Sequence, residues 1–543
     1  MARRRATPAI LVASVLILGA CSSVDQPDGG KGAAGGIEPG PVAGKQDLYG
    51  PAPENASKGG KLTVASLTEP PSLDPYHQAA DSRIQYTSLM YQGLMFESAT
   101  GGAIPLLAED MNVSEDGLTY TFPLREGVTF HDGSKMTSED VKYSYDYIRD
   151  AKNGSPGAGD FQSIEKISAP DPGTVEFQLS EPNAALPMTL TNKYGGVVPS
   201  GYFDDPDAKK QLNEESVGTG PYQLKELKKN SSLTLRRNQD YWDDAAPYLD
   251  ELVFQFMPTS AAIVVALQNG RVDMASLPRI QDARQLQGEK DIKLEEFPSL
   301  NQKALDLDSN MKPLDDVRVR RAIASALDKR EIAQAAAPDQ HQVLGTMVDG
   351  MQEQWGLPID EVPYQKTDVK GAKKLLKAAG HPNGFEIKLT IINGYDWMDP
   401  AAVAITQQLK KVGITVKTSK VELGTWIENF QSGNMGFTLN DWGTQPDPSL
   451  LFYRHFHAKP EGSDFRNWKN DKASELLDKG IATAEMGDRA AIYRDFQKEM
   501  ANTVPTYMIY SPNYVVAMNK RVRNYVQHPT GWYFGLAQTH VAS

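Results

Sequence analysis

The chain has 543 residues, with 69 acidic against 56 basic side chains, a formal net charge of −13 and a single cysteine. At roughly 100–200 residues per domain, this length predicts two or three domains. One cysteine excludes a disulfide framework and a cysteine-based structural zinc site, and the acidic balance argues against a nucleic-acid partner, because phosphate binding requires a basic surface.

The single cysteine ends an N-terminal targeting pattern. Arg3, Arg4 and Arg5 precede a short apolar run over residues 9–18, and small residues then lead to Cys21. This layout is typical of a secretory signal peptide over residues 1–20, too short for a membrane-spanning helix. The sequence Leu-Gly-Ala-Cys at 18–21 resembles a bacterial lipobox, which implies lipidation of Cys21 as the mature N-terminus. An ordinary secreted protein with an accidental cysteine is the alternative.

Residues 21–60 are rich in Gly, Pro and Ala, and this composition predicts a flexible tether that holds the folded part away from the membrane. From Lys61 the pattern changes to alternating strands, turns and helices. A capping box at Thr137 predicts the start of a helix that ends near Asp150. The other elements predicted in this half are strands at 61–65, 118–122, 128–130 and 175–179 and a helical apolar spacing over 86–96.

The second half alternates helices with strands. Asp315 and Asp316 are predicted to cap a helix over 317–327. A lysine-rich amphipathic helix is predicted over 368–379, ended by Gly380. A strand at 385–392, a helix at 400–411 and a strand at 414–417 form a predicted βαβ unit, which implies a parallel sheet. Two further helices are predicted at 473–484 and 489–502. The fold class indicated by these patterns is α/β, with mixed sheets flanked by helices.

No common catalytic motif is present in the sequence. Phosphate-binding loops, HExxH and GxSxG are missing, and a lipidated Cys21 leaves no thiol nucleophile. His455 and His457 are predicted to share one face of a strand and could bind a metal, but without a placed carboxylate we expect hydrogen-bonding or surface roles. We therefore expect a protein that is not an enzyme and carries no cofactor or metal.

Several segments resemble the extracellular solute-binding proteins of family 5, the peptide/nickel branch of ABC-importer receptors. They are spread in order over some 450 residues of the chain. The most specific segment is PLLAEDMNVSEDGLTYTFPLREGVTFHDGSKMTSEDVKYS at 105–144. The others are SLDP at 72–75, YQGL at 91–94, GTGPY at 218–222, LRRNQDYW at 235–242 and VRRAIASALDKREI at 319–332.

The resemblance implies a bilobed periplasmic-binding-protein-like fold with a hinge and a ligand buried between the lobes. Lobe 1 is expected to comprise 61–100, 217–306 and 505–543, with an extra subdomain of 101–216 inserted in it. Lobe 2 is expected to comprise 307–504. The family also implies an ABC permease as membrane partner, and we expect a monomer.

Peptide-binding members hold the ligand backbone as an added strand between two segments, so the resemblance also implies ligand contacts. The segment after SLDP comprises His77, Gln78, Ala79, Ala80 and Asp81. The segment around the lobe 2 tryptophan comprises Asn440, Asp441, Trp442, Gly443, Thr444, Gln445, Pro446, Asp447 and Pro448. Three aromatic residues elsewhere could line the pocket or belong to the core: Tyr395, Trp397 and Trp426.

The second segment departs from the family pattern at one position. Peptide binders place an Asp three residues after the tryptophan to pair with the ligand's α-ammonium, and here that residue is Gln445. Asp447 or Asp441 could supply the charge instead, although Asp447 could equally form the turn before Pro448. If Asp447 pairs with the amine, Asp447→Asn should lower peptide affinity at least about tenfold.

The function expected from these features is capture of di- or oligopeptides for delivery to a permease. Without the amine-pairing Asp, an oligosaccharide, an opine-like compound or a metal chelate stays open as ligand. Two other classes stay open: a surface hydrolase on an α/β body, and a signalling or assembly lipoprotein that reuses the binding fold.

Overall fold

The computed structural model describes residues 38–39, 48–49, 56–77, 81–99, 102–204, 212, 214–277, 279–443, 447–458 and 467–542. The predicted signal peptide, Cys21 and most of the predicted tether lie outside the described residues. Within the tether, however, Glu38–Pro39 pairs with a strand of the first sheet, and Tyr49 is buried with its hydroxyl 2.6 Å from that of Tyr241, so a flexible tether over all of 21–60 is wrong. Of the helices within these ranges, none combines the length and the apolar character that crossing a membrane requires.

The strands in chain order are β1 Glu38–Pro39, β2 Lys61–Ser66, β3 Met95–Glu97, β4 Ala103–Pro105, β5 Asn112–Val113, β6 Thr119–Pro123, β7 Ile164–Asp171, β8 Thr174–Leu179, β9 Tyr222–Lys228, β10 Ser232–Arg237, β11 Glu251–Phe256, β12 Met274–Leu277, β13 Ile292–Phe297, β14 Gln302–Leu307, β15 His341–Val343, β16 Glu386–Ile392, β17 Thr415–Val421, β18 Phe437–Trp442, β19 Thr506–Pro512, β20 Tyr514–Asn519, β21 Val522–Arg523 and β22 His540–Val541. The helices are α1 Asp81–Thr87, α2 Ser138–Arg149, α3 Leu186–Thr189, α4 Ser260–Gln268, α5 Ile280–Leu286, α6 Val317–Ala326, α7 Lys329–Ala336, α8 Asp349–Trp355, α9 Val369–Ala378, α10 Met398–Lys410, α11 Leu423–Gln431, α12 Pro448–Phe456, α13 Asp471–Ala482 and α14 Met486–Thr503.

The first lobe is organised around a mixed eight-stranded sheet in the order β1-β13-β20-β12-β2-β11-β10-β9. The central strand β2 pairs in parallel with β11 and with β12, while β20 runs antiparallel to its two neighbours. The apolar side chains of these strands are buried under α4 and α5 on one side and against the helix and loops that follow residue 81 on the other. The expected α/β class with mixed sheets and flanking helices is confirmed.

A subdomain is inserted between β2 and β9. It contains a four-stranded antiparallel sheet in the order β5-β6-β8-β7, on which α2 packs. The predicted capping box is present, since the Asp140 carboxylate accepts a hydrogen bond from the Thr137 N–H at 2.7 Å. The helical spacing read over 86–96 is wrong for most of that segment, because α1 ends at Thr87 and β3 begins at Met95.

The second lobe is built on a six-stranded sheet in the order β15-β19-β14-β18-β16-β17. The predicted βαβ unit is confirmed, with β16 and β17 parallel and connected by α10. The predicted cap at Asp316 is confirmed, since its carboxylate accepts from the Arg318 N–H at 2.8 Å. Asp368, predicted as the first residue of its helix, is instead the N-cap and accepts from the Gly371 N–H at 2.8 Å. Each cap satisfies a backbone donor that the first helical turn leaves free.

The chain passes between the two sheets at two neighbouring points. It leaves the first sheet after β13, enters the second at β14, and returns between β19 and β20. The boundaries between the lobes were expected at 306/307 and 504/505. Because β14 and β19 belong to the second sheet, the chain instead crosses between the lobes at about 298–301 and at 513. The Ser511 hydroxyl donates to the Ser299 carbonyl at 2.8 Å, so the two crossings are hydrogen-bonded to each other.

Two further contacts connect the lobes away from the crossings. Arg284 in α5 forms an ion pair with Asp339 of the second lobe at 3.1 Å. On the inserted subdomain, the Ala184 N–H donates to the carbonyl of Ile481 in α13 at 2.7 Å. The space between the lobes is therefore bounded by contacts as well as by the crossing strands.

Candidate ligand-binding site

A cavity of about 980 Å³ lies between the two lobes. Ligand sites of soluble proteins commonly enclose about 300–1,000 Å³, so this cavity is large enough for a small solute. The first lobe contributes Leu67, Pro258, Thr259, Ser260, Ala261, Leu277, Arg279, Ile280 and Gln281. The second lobe contributes Lys303, Ala335, Ala336, Ala337, Pro338, Gln340, Gly394, Tyr395, Asp396, Trp397, Asp399, Pro400, Tyr510, Pro512 and Asn513.

The lining side chains come from the ends of regular elements. Residues 394–397 connect β16 to α10, so the carboxyl end of a parallel strand delivers Tyr395 and Trp397 to the cavity. Lys303 in β14 and Tyr510 in β19 are direct cross-strand partners. Open α/β sheets commonly bind ligands at such strand ends, and the position of this cavity follows that rule.

Lys303 is the one buried charged side chain among the described cavity-lining residues, with 9% of its side chain exposed. Its ammonium donates to the Asp441 carboxylate at 2.6 Å and lies 5.2 Å from the ring centre of Trp397. Burial lowers the pKa of Lys303 below its ordinary value, and the Asp441 carboxylate opposes that shift. Asp441 itself is not a lining residue, so the pair presents its positive end to the cavity.

Two aromatic residues beside Lys303 have polar atoms that are buried without hydrogen-bond partners in the described part of the chain. These atoms are the indole Nε1 of Trp397 and the hydroxyl of Tyr510, whose ring centres are 6.2 Å apart. Burial raises the pKa of Tyr510, so its hydroxyl keeps its proton at neutral pH. Buried polar atoms are almost always paired in folded proteins, so unpaired ones in a cavity wall are candidate ligand contacts.

Gln340 and Asn513 form a second polar group on the cavity wall. The Asn513 N–H donates to the Gln340 carbonyl at 3.1 Å, which holds the two side chains near each other. Gln340 Nε2 and Asn513 Oδ1 are buried and have no partner within the described ranges. The wall thus offers one amide donor and one amide acceptor, the complement of a peptide group.

The exposed part of the cavity carries charges of both signs. Arg279 on the first lobe forms a bidentate ion pair with the buried Asp282, with both contacts at 2.9 Å. Asp399 on the second lobe pairs with Lys420 at 2.7 Å, and Asp396 lies exposed nearby. Hydrogen bonds from Arg279 to Asp282 raise the pKa of Arg279, and the charge of Asp396 acts in the same direction.

The predicted segment after SLDP is only partly described. His77 Nδ1 contacts Asp74 Oδ2 at 2.8 Å, and its Nε2 lies 3.3 Å from the Tyr147 hydroxyl. Burial opposes ionisation of Asp74, but hydrogen bonds from His77 and from the Tyr76 N–H lower its pKa. His77 is not a lining residue of the cavity. Gln78, Ala79, Ala80 and the side chain of Asp81 lie outside the described residues.

The predicted segment around Trp442 belongs largely to the protein interior. Asn440 donates to Asp306 at 2.7 Å, and both side chains are buried. Trp442 is buried against His455, with ring centres 4.5 Å apart. Gly443 is exposed, and Thr444 and Gln445 lie outside the described residues. Trp426 donates to Thr438 at 3.1 Å and does not line the cavity, whereas Tyr395 and Trp397 do.

Asp447 does not have the geometry required of an amine-pairing residue. Its carboxylate accepts two hydrogen bonds from Arg489, at 2.8 and 2.9 Å, and both side chains are at least 95% buried. It also caps α12 by accepting from the Ser449 N–H at 2.8 Å. The Asp447 charge keeps the pKa of Arg489 above its ordinary value despite burial. The Asp447 carboxylate is thus engaged by Arg489 and by the first turn of α12, and a helix begins at Pro448 where the alternative expected a turn.

The strand predicted around His455 and His457 is wrong, because residues 448–456 form α12. Proline at N1 and the Asp447 cap start a helix whose apolar side chains Leu451, Phe452 and Phe456 enter the core. No group of three or more potential metal ligands occurs among the residues that the structure describes.

Sequence reasoning missed Lys303, Gln340, Tyr510 and Asn513. In the segment Gln302–Leu307, a lysine between Gln and Ala resembles a solvent-facing strand position. Its burial depends on Asp441, which is 138 positions away in the sequence. The one indication of this ion pair in the sequence was Asp441, because a charged residue beside the tryptophan at the end of a strand requires a partner of opposite charge.

Two α/β lobes connected by two adjacent crossings, with a solute-sized cavity between them, define a bilobed binding protein. The chain belongs to the bacterial extracellular solute-binding proteins, family 5, whose sequence profile matches residues 102–464. Proteins of this family bind substrates.

Individual relatives agree with this assignment. The dipeptide-binding protein of Escherichia coli K12 is 30% identical over 501 residues, which cover 87% of this chain and 92% of that protein. The ABC transporter substrate-binding protein CtaP from Listeria monocytogenes has a TM-score of 0.81 at 25% identity, covering 89% of this chain and 100% of that chain. DppA from Helicobacter pylori, solved with the peptide STSA, has a TM-score of 0.73 at 27% identity over 89% and 98% of the two chains.

Proposed function

We propose that this protein captures short peptides in the interlobe cavity and delivers them to the membrane permease of an ABC importer. The observation that carries the proposal is the cavity wall, where Gln340 Nε2 and Asn513 Oδ1 are buried and have no partner among the residues that the structure describes. A peptide N–H and carbonyl can fill both positions, and such contacts are independent of the peptide's side chains. The names of the relatives, a dipeptide-binding protein and a peptide complex, support the same ligand class.

Capture would proceed by rotation of the lobes about the crossings at 298–301 and 513. Among the described residues, the chain crosses from one sheet to the other only at these two short segments. Hinge closure around a ligand is the usual motion of two-lobed binding proteins. Closure would bring Arg279 of the first lobe toward Asp396 of the second. The closed monomer is the form that would dock on the permease.

Lipidation of Cys21 is the proposed anchor. The charged, apolar and small-residue stretches before Cys21 support it, and residues 21–60 would then connect the lipid to the first lobe. Metabolic labelling with a radioactive fatty acid should mark the wild-type protein and leave Cys21→Ser unlabelled and released from the membrane fraction. Equal labelling of both proteins would reject the assignment.

Binding without catalysis is the proposed mode of action. In the part of the chain that the structure describes, neither aliphatic hydroxyl of the cavity wall, that of Thr259 or that of Ser260, has a recorded hydrogen bond to a histidine or a carboxylate that could act as its base. The purified protein should leave chromogenic peptides and glycosides intact over long incubation, and it should not require a cofactor. Turnover that co-purifies with the protein and disappears on mutation of a cavity residue would instead support the surface-hydrolase alternative.

The decisive experiment measures the bound ligand directly. Native mass spectrometry of the protein as purified should show a peptide mass, and calorimetry should detect binding of Met-Leu or Ser-Thr-Ser-Ala. Loss of one neutral hydrogen bond is worth about 0.5–1.5 kcal/mol, so Gln340→Ala should weaken binding about twofold to twelvefold. Gln354→Ala, which changes the same residue type in α8 away from the cavity, is the matched control and should bind like wild type. Retention of a sugar or metal complex, with no peptide binding, would refute the proposal.

A further inference from the structure

The deep wall of the interlobe cavity carries hydrogen-bond donors at three adjacent residues. Lys303 provides an ammonium, Trp397 an indole N–H and Tyr510 a hydroxyl. Lys303 Nζ lies 5.2 Å from the Trp397 ring centre, and Trp397 and Tyr510 are in edge-to-face contact at 6.2 Å. The indole N–H and the phenol hydroxyl are buried and have no partner in the part of the chain that the structure describes.

These donors are complementary to an oxygen-rich anion. An indole N–H and an ammonium cannot accept hydrogen bonds, so a ligand group that satisfies both must bring acceptors. A carboxylate offers two oxygens with about four lone-pair positions, and charge-assisted bonds to such a group are stronger than neutral ones. A ligand ammonium at the same position would leave the indole N–H unpaired and would be repelled by Lys303.

The carboxylates near the cavity do not offset this preference. Asp441 is paired with Lys303 and does not line the cavity, although its second oxygen, Oδ1, is buried and has no partner within the described ranges. Asp447 is fully engaged by Arg489. The remaining lining carboxylates, Asp396 and Asp399, are exposed, and water screens exposed charges strongly.

We propose that Lys303, Trp397 and Tyr510 form a subsite for a ligand carboxylate, and that this carboxylate, rather than a ligand ammonium, supplies the charge recognition of the site. The inference rests on the proposed function, because it specifies which end of a bound peptide is recognised by charge. A free C-terminus is then required, whereas a free N-terminus is not. Peptides with a blocked amino end belong to the accepted ligands.

The test compares three forms of two probe peptides by calorimetry on the wild-type protein. The probes are Met-Leu and Ser-Thr-Ser-Ala, each with both ends free, with an N-acetyl group, or with a C-terminal amide. We expect amidation to weaken binding at least tenfold and acetylation to change it less than threefold. The inference is overturned if acetylation weakens binding tenfold or more, or if amidation has no effect. Absence of binding in all three forms would overturn the peptide proposal as well, which distinguishes that failure from the first.

Variants locate the effect at Lys303. Lys303→Met should remove the difference between the acid and amide forms, and the double variant Lys303→Met with Asp441→Asn should do the same without leaving an unpaired buried carboxylate. Lys472→Met removes an equivalent positive charge from the exposed pair with Glu499 in the second lobe and should keep the full difference. A folded double variant that still prefers the acid form tenfold would place the carboxylate elsewhere and refute the assignment.

Discussion

The buried pair Asp447–Arg489 makes a prediction that separates a structural role from a ligand role. In Asp447→Asn the side chain can still cap α12, since Asn is as good an N-cap as Asp. The guanidinium of Arg489, with 4% of its side chain exposed, loses its counter-charge. Removing one partner of a buried ion pair costs about 3–5 kcal/mol. We expect about 3 kcal/mol here, because Ser449 and the Gly480 carbonyl still accept from Arg489.

The assay follows unfolding of the second lobe by tryptophan fluorescence in urea and by calorimetry. For a unit of about 200 residues, each kcal/mol shifts the melting temperature by roughly 2–4 °C, so a decrease of about 6–12 °C is expected. Peptide affinity at a temperature where the variant is folded should stay within about threefold of wild type, equivalent to about 0.7 kcal/mol.

A matched control is available at α6. Asp316 is also an N-cap paired with an arginine, but this pair with Arg318 is exposed. Asp316→Asn should unfold close to wild type, because exposed ion pairs contribute little. A tenfold loss of peptide affinity in Asp447→Asn with unchanged unfolding would refute the structural assignment and restore Asp447 as the amine-pairing residue.

Three other predictions concern stability. Burial lowers the pKa of His528 from 6.5 to about 4, so the folded state resists protonation of this side chain. The free energy of unfolding should therefore be highest above pH 6.5 and fall by about 1.4 kcal/mol per pH unit toward pH 4. In His528→Gln, the urea midpoint of unfolding should change less between pH 7 and pH 5 than it does in wild type. Burial lowers the pKa of Lys329 to about 7, so at pH values below its unfolded-state pKa of 10.5 this lysine destabilises the folded protein. The free energy of unfolding of wild type should rise from pH 7 to pH 9, and that of Lys329→Met should not. An equal rise in both proteins would contradict the lowered pKa of Lys329. Gly384 has φ +78°, and a Cβ atom added there would lie 1.9 Å from the Gly413 carbonyl oxygen. Gly380 has φ +90°, but a Cβ atom there would meet no described atom within 4 Å, so Gly380→Ala carries only the backbone cost of about 1–2 kcal/mol. The melting temperature of Gly384→Ala should therefore be well below that of Gly380→Ala.

Local signals in the sequence were sufficient for much of the second lobe. Asp316 and Asp368 each precede a helix that buries one face. The parallel strands β16 and β17, which α10 connects, follow from the alternation of strand-like and helix-like apolar spacing in the sequence. The region after residue 86 lacks such a signal. Residues 89–96 are all buried, so their apolar residues follow neither a period of two nor of 3.6, and the end of α1 cannot be read from them.

The candidate site was less predictable because its partners are distant in sequence. Lys303 has the appearance of a surface strand residue until β18 places Asp441 beside it. Asp447 has the appearance of a free acid until α14 places Arg489 against it. Pair formation across the fold decides which charges remain available to a ligand, and no local pattern records it.

The adjacency of the two crossings has a consequence for how the molecule could be engineered and could have diversified. The second lobe is one continuous stretch of chain, and its first and last strands, β14 and β19, are hydrogen-bonded neighbours. Its two ends therefore lie side by side, which is the arrangement that tolerates excision, insertion and permutation of a domain. Residues from about 300 to 512 form a continuous segment that could be exchanged as a unit between relatives. Such an exchange would transfer Lys303, Trp397 and Tyr510 together and leave the first lobe's sheet intact.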